Sequence, residues 1–305
     1  MLHIGNNGWM AIDSSFDVVV VGSANLDLVA RTHRLPKPGE TVTGSNYFEF
    51  CGGKGANQAI AASRAGARTA FMGALGNDHA GETLRAAFKN DDVDISAVQV
   101  VSEPTGRALI GVSDDGENSI IVVPGANHAI TIGDIERNAK IITSAKVLLC
   151  QLEVPLEVVQ RAFELAGKNA IRILNPAPAQ SLSKELMQLV DVIIPNEHEI
   201  KLLGGSNMLL KHGVKSIIVT QGALGALMIT DKGETQIPPF KVDPVDSTGA
   251  GDAFCGMLAA RLAIGQSIEN ALKAAVVSGA LATMTEGAVP SLPLWSLVSS
   301  KLESM

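Results

Sequence analysis

The amino-acid sequence predicts an α/β protein in three layers, with a mainly parallel central sheet between helices and a small β-sheet attached to it. Short apolar strands alternate with helical patterns along most of the chain, which is typical of a parallel sheet covered on both faces. Two strand-rich segments, 29–51 and 105–124, have no crossover helix of their own. The 30 glycines, together with many alanines, allow helices to lie close to a sheet.

The first elements follow from apolar runs and the residues that end them. DVVVVG (17–22) is a β-branched run ending in glycine, which predicts a buried strand. GANQAIAASRAG (55–66) predicts a helix closed by glycine. ARTAFMGALG (67–76) then predicts a strand, and HAGETLRAAFKN (79–90) predicts an amphipathic helix.

The later elements repeat this rhythm. AKVLLCQLE (145–153) predicts a strand, and PLEVVQRAFELAGKNA (155–170) predicts a helix with proline near its start. Three further strands are predicted in IRILNPAP (171–178), VDVIIPN (190–196) and VKSIIVTQG (214–222). Ligands of open α/β sheets bind at the carboxyl ends of the strands. The polar and glycine residues expected at that edge are Asn25, Asp27, Glu153, Asn175, Asn196, Glu199, Thr220 and Gly222.

The two strand-rich segments divide the chain. TGRALIGVSDDGENSIIVVPG (105–125) has two alternating strands around a turn-rich DDGEN, which predicts a hairpin. With segment 29–51 it is expected to form one small antiparallel sheet, acting as a lid over the strand ends, as a dimer interface, or as both. Residues 16–28, 52–104 and 125–305 are then assigned to the main α/β domain, and residues 1–15 to a flexible tail.

Composition excludes several classes of function. The formal net charge is −7 and no Lys/Arg cluster opposes it, which argues against a nucleic-acid partner. No apolar run is long enough to cross a bilayer, and the N-terminal residues lack the pattern of a signal peptide. Three cysteines without CxxC spacing predict reduced thiols in a cytoplasmic protein, and the six histidines form no zinc pattern.

Two glycine-containing turns bear on ligand class. GSANLD (22–27) follows the first strand but is not GxGxxG, which disfavours a dinucleotide-binding fold. CGGKGANQA (51–59) is not a phosphate-binding P-loop, because no Ser or Thr follows Lys54. Its paired glycines allow a close backbone approach to a small ligand, with Lys54 as a charge and Asn57 as an amide. Taken alone, this segment is as well explained by an ordinary helix start.

VDSTGAGDAFCG (245–256) carries the most specific chemistry. The apolar run after it predicts a helix beginning near Gly249, whose free N–H groups suit an anion. Asp252 in that first turn is explained either by a favourable interaction with the helix dipole or by catalysis. In the catalytic interpretation the N–H groups stabilise a transferred phosphoryl group, and Asp252 takes a proton from a hydroxyl nucleophile.

These motifs resemble those of the ribokinase (PfkB) family of sugar kinases. GGKGANQA resembles the family's N-terminal signature and VDSTGAGDAFCG its C-terminal signature. NPAPA (175–179), PNEHE (195–199) and VTQGALGA (219–226) match further family segments in the same order. GENSIIVVPGAN (116–127) is similar to the ribose kinases of that family. The segment SNMLLKHG (206–213) is shorter than the family's usual stretch, reflecting either a trimmed helix or residues missing from the sequence.

The resemblance implies an enzyme that transfers phosphate from ATP to O5 of ribose, with a related sugar or nucleoside kinase and a non-catalytic sugar-binding protein as alternatives. It implies Asp252 as the base, with Gly249, Ala250 and Gly251 as the anion hole. The sugar ligands implied are Asn25, Asp27, Gly53, Lys54, Asn57, Glu153 and Asp252. The residues implied for ATP are Asn196, Thr220, Gly222 and Gly251, and Glu199 is implied for Mg²⁺.

The resemblance also implies a monovalent cation, usually K⁺, beside the anion hole. The side chains of Asp246 and Ser291 would be ligands to this ion. Oxygens from Thr248, Ala282, Thr285 and Gly287 would complete its coordination. The strand-rich segments are further expected to form a homodimer through the lid.

Overall fold

The structure, a computed structural model, describes residues 15–304. The strands, in chain order, are β1 (Val18–Val21), β2 (Asn25–Thr32), β3 (Gly44–Gly52), β4 (Thr69–Met72), β5 (Ala74–Gly76), β6 (Gln99–Val101), β7 (Gly106–Ser113), β8 (Asn118–Val123), β9 (Val147–Cys150), β10 (Ile171–Leu174), β11 (Val192–Ile193), β12 (Ser216–Thr220), β13 (Ala226–Thr230) and β14 (Gly233–Ile237). The tail predicted over residues 1–15 lies, apart from Ser15, outside the described residues.

The helices alternate with these strands as the sequence predicts. They are α1 (Lys54–Arg64), α2 (His79–Asn90), α3 (Ile132–Arg137), α4 (Ala139–Ser144), α5 (Leu156–Leu165), α6 (Lys184–Leu189), α7 (Glu197–Leu202), α8 (Ser206–Lys211), α9 (Ala250–Ala263), α10 (Ile268–Ala282), α11 (Ala288–Ser291) and α12 (Trp295–Leu302). None of the helices in the described range is long and apolar enough to cross a membrane.

The central sheet has eight strands in the order β14-β13-β12-β11-β10-β9-β1-β4. From β4 to β12 every pair is parallel, and only β13 and β14 are added antiparallel at one edge. Alternate residues of β1 enter two separate cores: Val18 and Val20 pack on the side of α1, α9 and α10, and Val19 and Val21 on the side of α5 and α6. The predicted three-layer α/β fold is therefore confirmed.

The second sheet has four strands in the order β3-β2-β7-β8. The expectation of a wholly antiparallel sheet is wrong, because its central pair, β2 and β7, is parallel. Both strands leave the main domain in the same direction, with Asn25 opposite Gly106 where they start. Strand β2 thus begins at Asn25, before the boundary predicted at residue 29. A separate two-stranded sheet joins β5 and β6.

Candidate functional site

Asp252 lies in the first turn of α9 and is almost completely buried, with 8% of its surface exposed. Each of its carboxylate oxygens accepts one hydrogen bond from an amide of α1: Asn57 Nδ2 donates to Oδ2 at 2.9 Å, and Gln58 Nε2 donates to Oδ1 at 2.8 Å. The two helices meet closely at Gly256, where a Cβ atom would lie 2.6 Å from the Gln58 carbonyl oxygen. A glycine one turn after Asp252 therefore allows α1 to reach the carboxylate.

The charges around Asp252 oppose one another. Burial raises the pKa of Asp252, and the Lys54 ammonium and the two amide donors act in the opposite direction. Burial lowers the pKa of Lys54, but the acidic groups around it, of which Asp252 and Glu153 act most strongly, together shift the pKa upward overall. Lys54 is therefore a charged ammonium among carboxylates, and it offsets part of their negative charge.

The candidate sugar ligands converge where β2 meets the start of α1. The Asn25 side-chain oxygen accepts a hydrogen bond from Asn127 Nδ2 at 2.7 Å. Glu153 Oε2 accepts from the Lys54 backbone N–H at 3.1 Å and from the Ser23 hydroxyl. Gly53 has φ +86°, a conformation that favours glycine, so the chain can turn here against the backbone of residue 24.

Asp27 lies on β2 opposite Phe50 of β3. A Cβ atom at Gly52 would lie 2.1 Å from the Asp27 carboxylate, so glycine is needed beside it. Burial, followed by the carboxylates of Glu153 and Asp252, raises the pKa of Asp27 to about 7. Without a ligand, this side chain is thus a carboxyl group that gains and loses its proton near neutral pH.

The candidate anion hole is the left-handed turn that begins α9. Gly249 is the residue before the helix, with φ +78°, and no side chain caps the helix there. The N–H of Ala250 donates to the Ser247 carbonyl at 3.2 Å. A Cβ atom at Gly251 would have no neighbour within 4 Å, so space is open directly over the turn. Helix geometry leaves the N–H groups of Gly251 and Asp252 without partners inside the helix, and both are available to an anion.

A cavity of about 200 Å³ joins this turn to the ends of the central strands. It is lined by Lys54, Asn175, Ala177, Ile194, Asn196, Glu199, Thr220, Ser247, Gly249, Gly251, Asp252 and Cys255. The structure therefore brings the candidate base and the candidate anion hole to one cavity with the candidate nucleotide residues Asn196, Thr220 and Gly251. Asn196 and Glu199 also cap α7 reciprocally: Asn196 Oδ1 accepts from the Glu199 N–H, and Glu199 Oε2 accepts from the Asn196 N–H, each at 2.8 Å.

A neighbouring cavity of about 180 Å³ extends the site past Gly251 and Ala250. Its other lining residues are Thr220, Gly222, Gly225, Phe240, Phe254, Val276, Gly279, Ala280 and Thr283. Its apolar side chains and glycines form a slot that suits a flat aromatic ring. Val276 is one of the apolar side chains that line this slot, and it offers no hydrogen bond to the edge of a nucleotide base.

Two loops meet beside the anion turn. Asp246 Oδ1 accepts from the N–H and hydroxyl of Thr248 at 2.9 and 2.7 Å, and Oδ2 accepts from the Gly287 N–H at 2.9 Å. Partial burial acts upward on the pKa of Asp246, but the donors from Gly287 and Thr248 bring it below its ordinary value. The Ser291 hydroxyl donates to the Ala288 carbonyl at 2.7 Å. Asp246, Thr248 and Gly287 are thus in direct contact.

The remaining candidate cation ligands lie on the same segment. Ala282 ends α10, and the Thr285 N–H donates to the Ala282 carbonyl at 3.4 Å. Between residues 15 and 304 there is no cluster of three or more His, Cys, Asp or Glu side chains arranged for a metal ion. The donor set is mainly carbonyl and hydroxyl oxygen with one carboxylate, which suits a weakly bound monovalent cation better than a transition metal.

A third cavity, of about 360 Å³, lies between the small sheet and these loops. Asp27 and Phe50 line it from the sheet, and Asp246 and Gly287 line it from the loops. The Arg31 guanidinium pairs with Glu286 across this gap at 3.1 Å. The small sheet therefore contacts the main domain beside the candidate cation loop.

Sequence reasoning missed several polar residues of the site. Gln58 and Gln151 are fully buried, Asn127 is 1% exposed, and Ser23 hydrogen bonds Glu153. Asn175 was expected at a strand end, but its hydrogen bond from Gln58 at 3.0 Å was not. Gln58 gave a usable signal: it is a polar residue inside the apolar helical run of α1. Gln151 gave no such signal, because a polar residue commonly follows the apolar run of a strand.

Both the sequence and the fold are similar to those of known carbohydrate kinases. The sequence matches the pfkB family of carbohydrate kinases over residues 15–295. The ribokinase of Haemophilus influenzae is 38% identical over 291 residues, covering 90% of this chain and 95% of that protein. The deoxyribokinase of Salmonella typhimurium is 34% identical, covering 91% and 95%. The structure of Arabidopsis thaliana ribokinase complexed with ribose and ATP has a TM-score of 0.88 and 31% identity, covering 95% of this chain and 99% of that one.

Proposed function

The chain belongs to the pfkB family of carbohydrate kinases, and on that premise we propose that it is a ribokinase that transfers the γ-phosphoryl group of ATP to O5 of D-ribose. The products are ribose 5-phosphate and ADP. The observation that supports this best is the position of Asp252, a buried carboxylate at the mouth of an open helix N-terminus. The ribose and ATP of the similar Arabidopsis enzyme support the choice of substrates.

In this mechanism Asp252 removes the proton from the 5-hydroxyl as O5 attacks the phosphorus atom. Phosphoryl transfer depends mainly on positioning and electrostatic stabilisation. The turn at Gly249, Ala250 and Gly251 supplies the latter through the N–H groups of Gly251 and Asp252, since the Ala250 N–H already donates to Ser247. A general base contributes roughly 10²–10⁴-fold to the rate. The amides of Asn57 and Gln58 keep the carboxylate aimed across the cavity.

The sugar is held by residues from both sides of the α1 start. Asn25 and Asp27 reach it from β2, and Gly53, Lys54 and Asn57 from the start of α1. Glu153 accepts from the hydroxyls on the remaining side. A polyol presents several donors and acceptors at once, and alternating carboxylates and amides can pair with all of them.

ATP occupies the space between the anion turn and the apolar slot, with Asn196, Thr220, Gly222 and Gly251 against it. Because the Asn196 oxygen is used in the cap of α7, its Nδ2 group is the atom left for the nucleotide. Glu199 has one carboxylate oxygen outside the cap, which suits Mg²⁺ bound largely through water. When bound, Mg²⁺ neutralises phosphate charge.

K⁺ would be held by the side chains of Asp246 and Ser291 and by oxygens of Thr248, Ala282, Thr285 and Gly287. The contacts among Asp246, Thr248 and Gly287 support this site, because they keep one ionised carboxylate beside the loop that packs on Gly249. The ion would supply positive charge beside the anion turn, where these loops pack on it. The small sheet serves as the lid and as the interface of a cytoplasmic homodimer.

The first test is ADP release with MgATP and, in turn, ribose, deoxyribose, fructose and adenosine, each with K⁺ and with Na⁺ alone. We expect the largest kcat/KM on ribose and a higher rate in K⁺. Best turnover on deoxyribose would move the assignment to the activity of the Salmonella relative. Saturable ribose binding by calorimetry without ADP release on any sugar would contradict catalysis and favour a sugar-binding protein.

A further inference from the structure

Gln58 connects the candidate base to the central sheet. Its side chain is fully buried, and its Nε2 group donates both to Asp252 Oδ1 at 2.8 Å and to Asn175 Oδ1 at 3.0 Å. Its Oε1 atom accepts from Gln151 Nε2 at 2.6 Å. Every polar atom of this side chain therefore has a partner, and none of them faces the cavities.

The direction of this chain of hydrogen bonds is fixed. Because an ionised carboxylate only accepts hydrogen bonds, Gln58 presents its Nε2 group to Asp252 and its Oε1 atom to Gln151, and Gln151 must then donate through its Nε2 group. Gln151 follows β9, and Asn175 follows β10 and donates to the Ile194 carbonyl beyond β11 at 2.9 Å. The carboxylate of Asp252 is thus tied through Gln58 to the carboxyl ends of three adjacent strands.

Gly22 makes room for this arrangement. A Cβ atom at Gly22 would lie 2.0 Å from Gln151 Oε1. That oxygen has no hydrogen-bond partner within the described residues. The end of β1 therefore carries the one residue type that leaves space for Gln151, which indicates that the buried amide arrangement is closely fitted.

We propose that Gln58 is a positioning residue for Asp252, holding the carboxylate ionised and oriented toward the substrate hydroxyl. The proposal rests on the proposed role of Asp252 as the base. The neighbouring Asn57 differs, because its Oδ1 atom has no partner in the described structure and is free for a sugar hydroxyl. Gln58 has no exposed surface and acts only through Asp252.

The pH dependence of the rate distinguishes this role from a merely structural one. The titratable groups that face Asp252 or share its cavity are Asp27, Lys54, Glu153, Glu199 and Cys255. All of them remain when Gln58 is replaced, so a change in the profile reports the lost donor. A carboxylate that loses a donor to its charged form has a higher pKa, so the acidic limb moves to higher pH.

The test is Gln58→Met, which keeps the length of the side chain and removes both polar atoms. We expect kcat to fall roughly 10- to 100-fold, KM for ribose and ATP to change little, and the acidic limb of kcat against pH to move up by about one pH unit. The matched control is Gln160→Met on α5, where the amide hydrogen bonds only Glu164. We expect it to match the parent protein in rate and profile.

A folded Gln58→Met protein with the parent rate and acidic limb would overturn the proposal. If that variant does not fold, Gln151→Met serves instead, because it removes the donor to Gln58 without touching Asp252. A smaller upward shift of the limb is then expected, and an unshifted limb overturns the proposal. Asp252→Asn separates the two claims. If it retains the parent rate, the base assignment fails, whereas loss of rate with an unaffected Gln58→Met refutes only the positioning role.

Discussion

At the scale of single residues, Asp27 couples the candidate site to the stability of the fold. Its pKa is raised from 3.8 to about 7 in the folded chain. The folded state therefore binds a proton that the unfolded state has lost between those values. Stability from this group is complete below about pH 4 and is lost as pH rises through 7. The ligand-free protein is thus expected to become less stable from pH 5 to pH 8.

Replacement of Asp27 by Asn removes this penalty. We expect the free energy of unfolding of the ligand-free protein to rise by roughly 2–3 kcal/mol more at pH 8 than at pH 5, with ribose binding lost. Urea denaturation at both pH values measures the difference. Asp231→Asn, in the exposed turn after β13, is the matched control. An equal change at the two pH values for Asp27→Asn would refute the explanation.

The residues that sequence reasoning could and could not identify differ in kind. Local patterns of a few residues identify Asp252, Gly249 and Lys54 as candidates. Asp252 and Gly249 belong to a turn before a helix, and Lys54 follows a pair of glycines. The role of Gln58 depends on Gln151, which is 93 positions away, and no local pattern contains that pairing. Long-range side-chain contacts of this kind become visible only when the strands are placed side by side.

At the scale of elements, the packing of α9 on α1 decides where the candidate base, Asp252, lies. A Cβ atom at Gly256 would lie 2.5 Å from the Ala61 Cβ and 2.6 Å from the Gln58 carbonyl oxygen. We expect Gly256→Ala to destabilise the protein by roughly 1–3 kcal/mol, although alanine favours a helix by about 1 kcal/mol over glycine. We also expect kcat to fall, since separation of the helices moves Asp252 from its amides.

Thermal unfolding and steady-state rates check this expectation. Gly133→Ala on α3 is the matched control, because a Cβ atom there would meet nothing closer than 3.5 Å. It should be neutral or slightly stabilising. Gly256→Ala with unchanged melting temperature and rate would show that α9 can shift without affecting the site.

The elements themselves were largely predictable, and the pairing of the small sheet was not. Apolar runs and the residues that end them predicted the parallel strands of the central sheet. The direction of β2 relative to β7 depends on how both strands leave the main domain. The alternation of apolar and polar residues along a strand is the same whether its neighbour runs parallel or antiparallel. The sequence therefore could not reveal that β2 and β7 are parallel, and the antiparallel expectation was wrong at this pair.

At the scale of the whole molecule, the outer strand of the small sheet is an apolar edge. All six residues of β8 are exposed, among them Ile120, Ile121, Val122 and Val123 at 47–60%. Exposed apolar edges of this kind associate with other chains. We expect Ile121→Asp to convert the proposed dimer into a monomer in light scattering, with little change in melting temperature. A parent protein that is monomeric at all concentrations would contradict the dimer.

The proposed sugar ligands lie on two parts of the chain, which links sugar affinity to the arrangement of those parts. Asn25 and Asp27 stand on the small sheet, Glu153 and Asp252 on the main domain, and only residues 22–24 separate β1 from β2. The measured affinity for the sugar therefore includes the free energy of bringing the two parts together. By thermodynamic reciprocity, a partner that binds β8 and favours the arrangement in which both parts contact the sugar strengthens sugar binding. The sugar strengthens the association of that partner by the same factor.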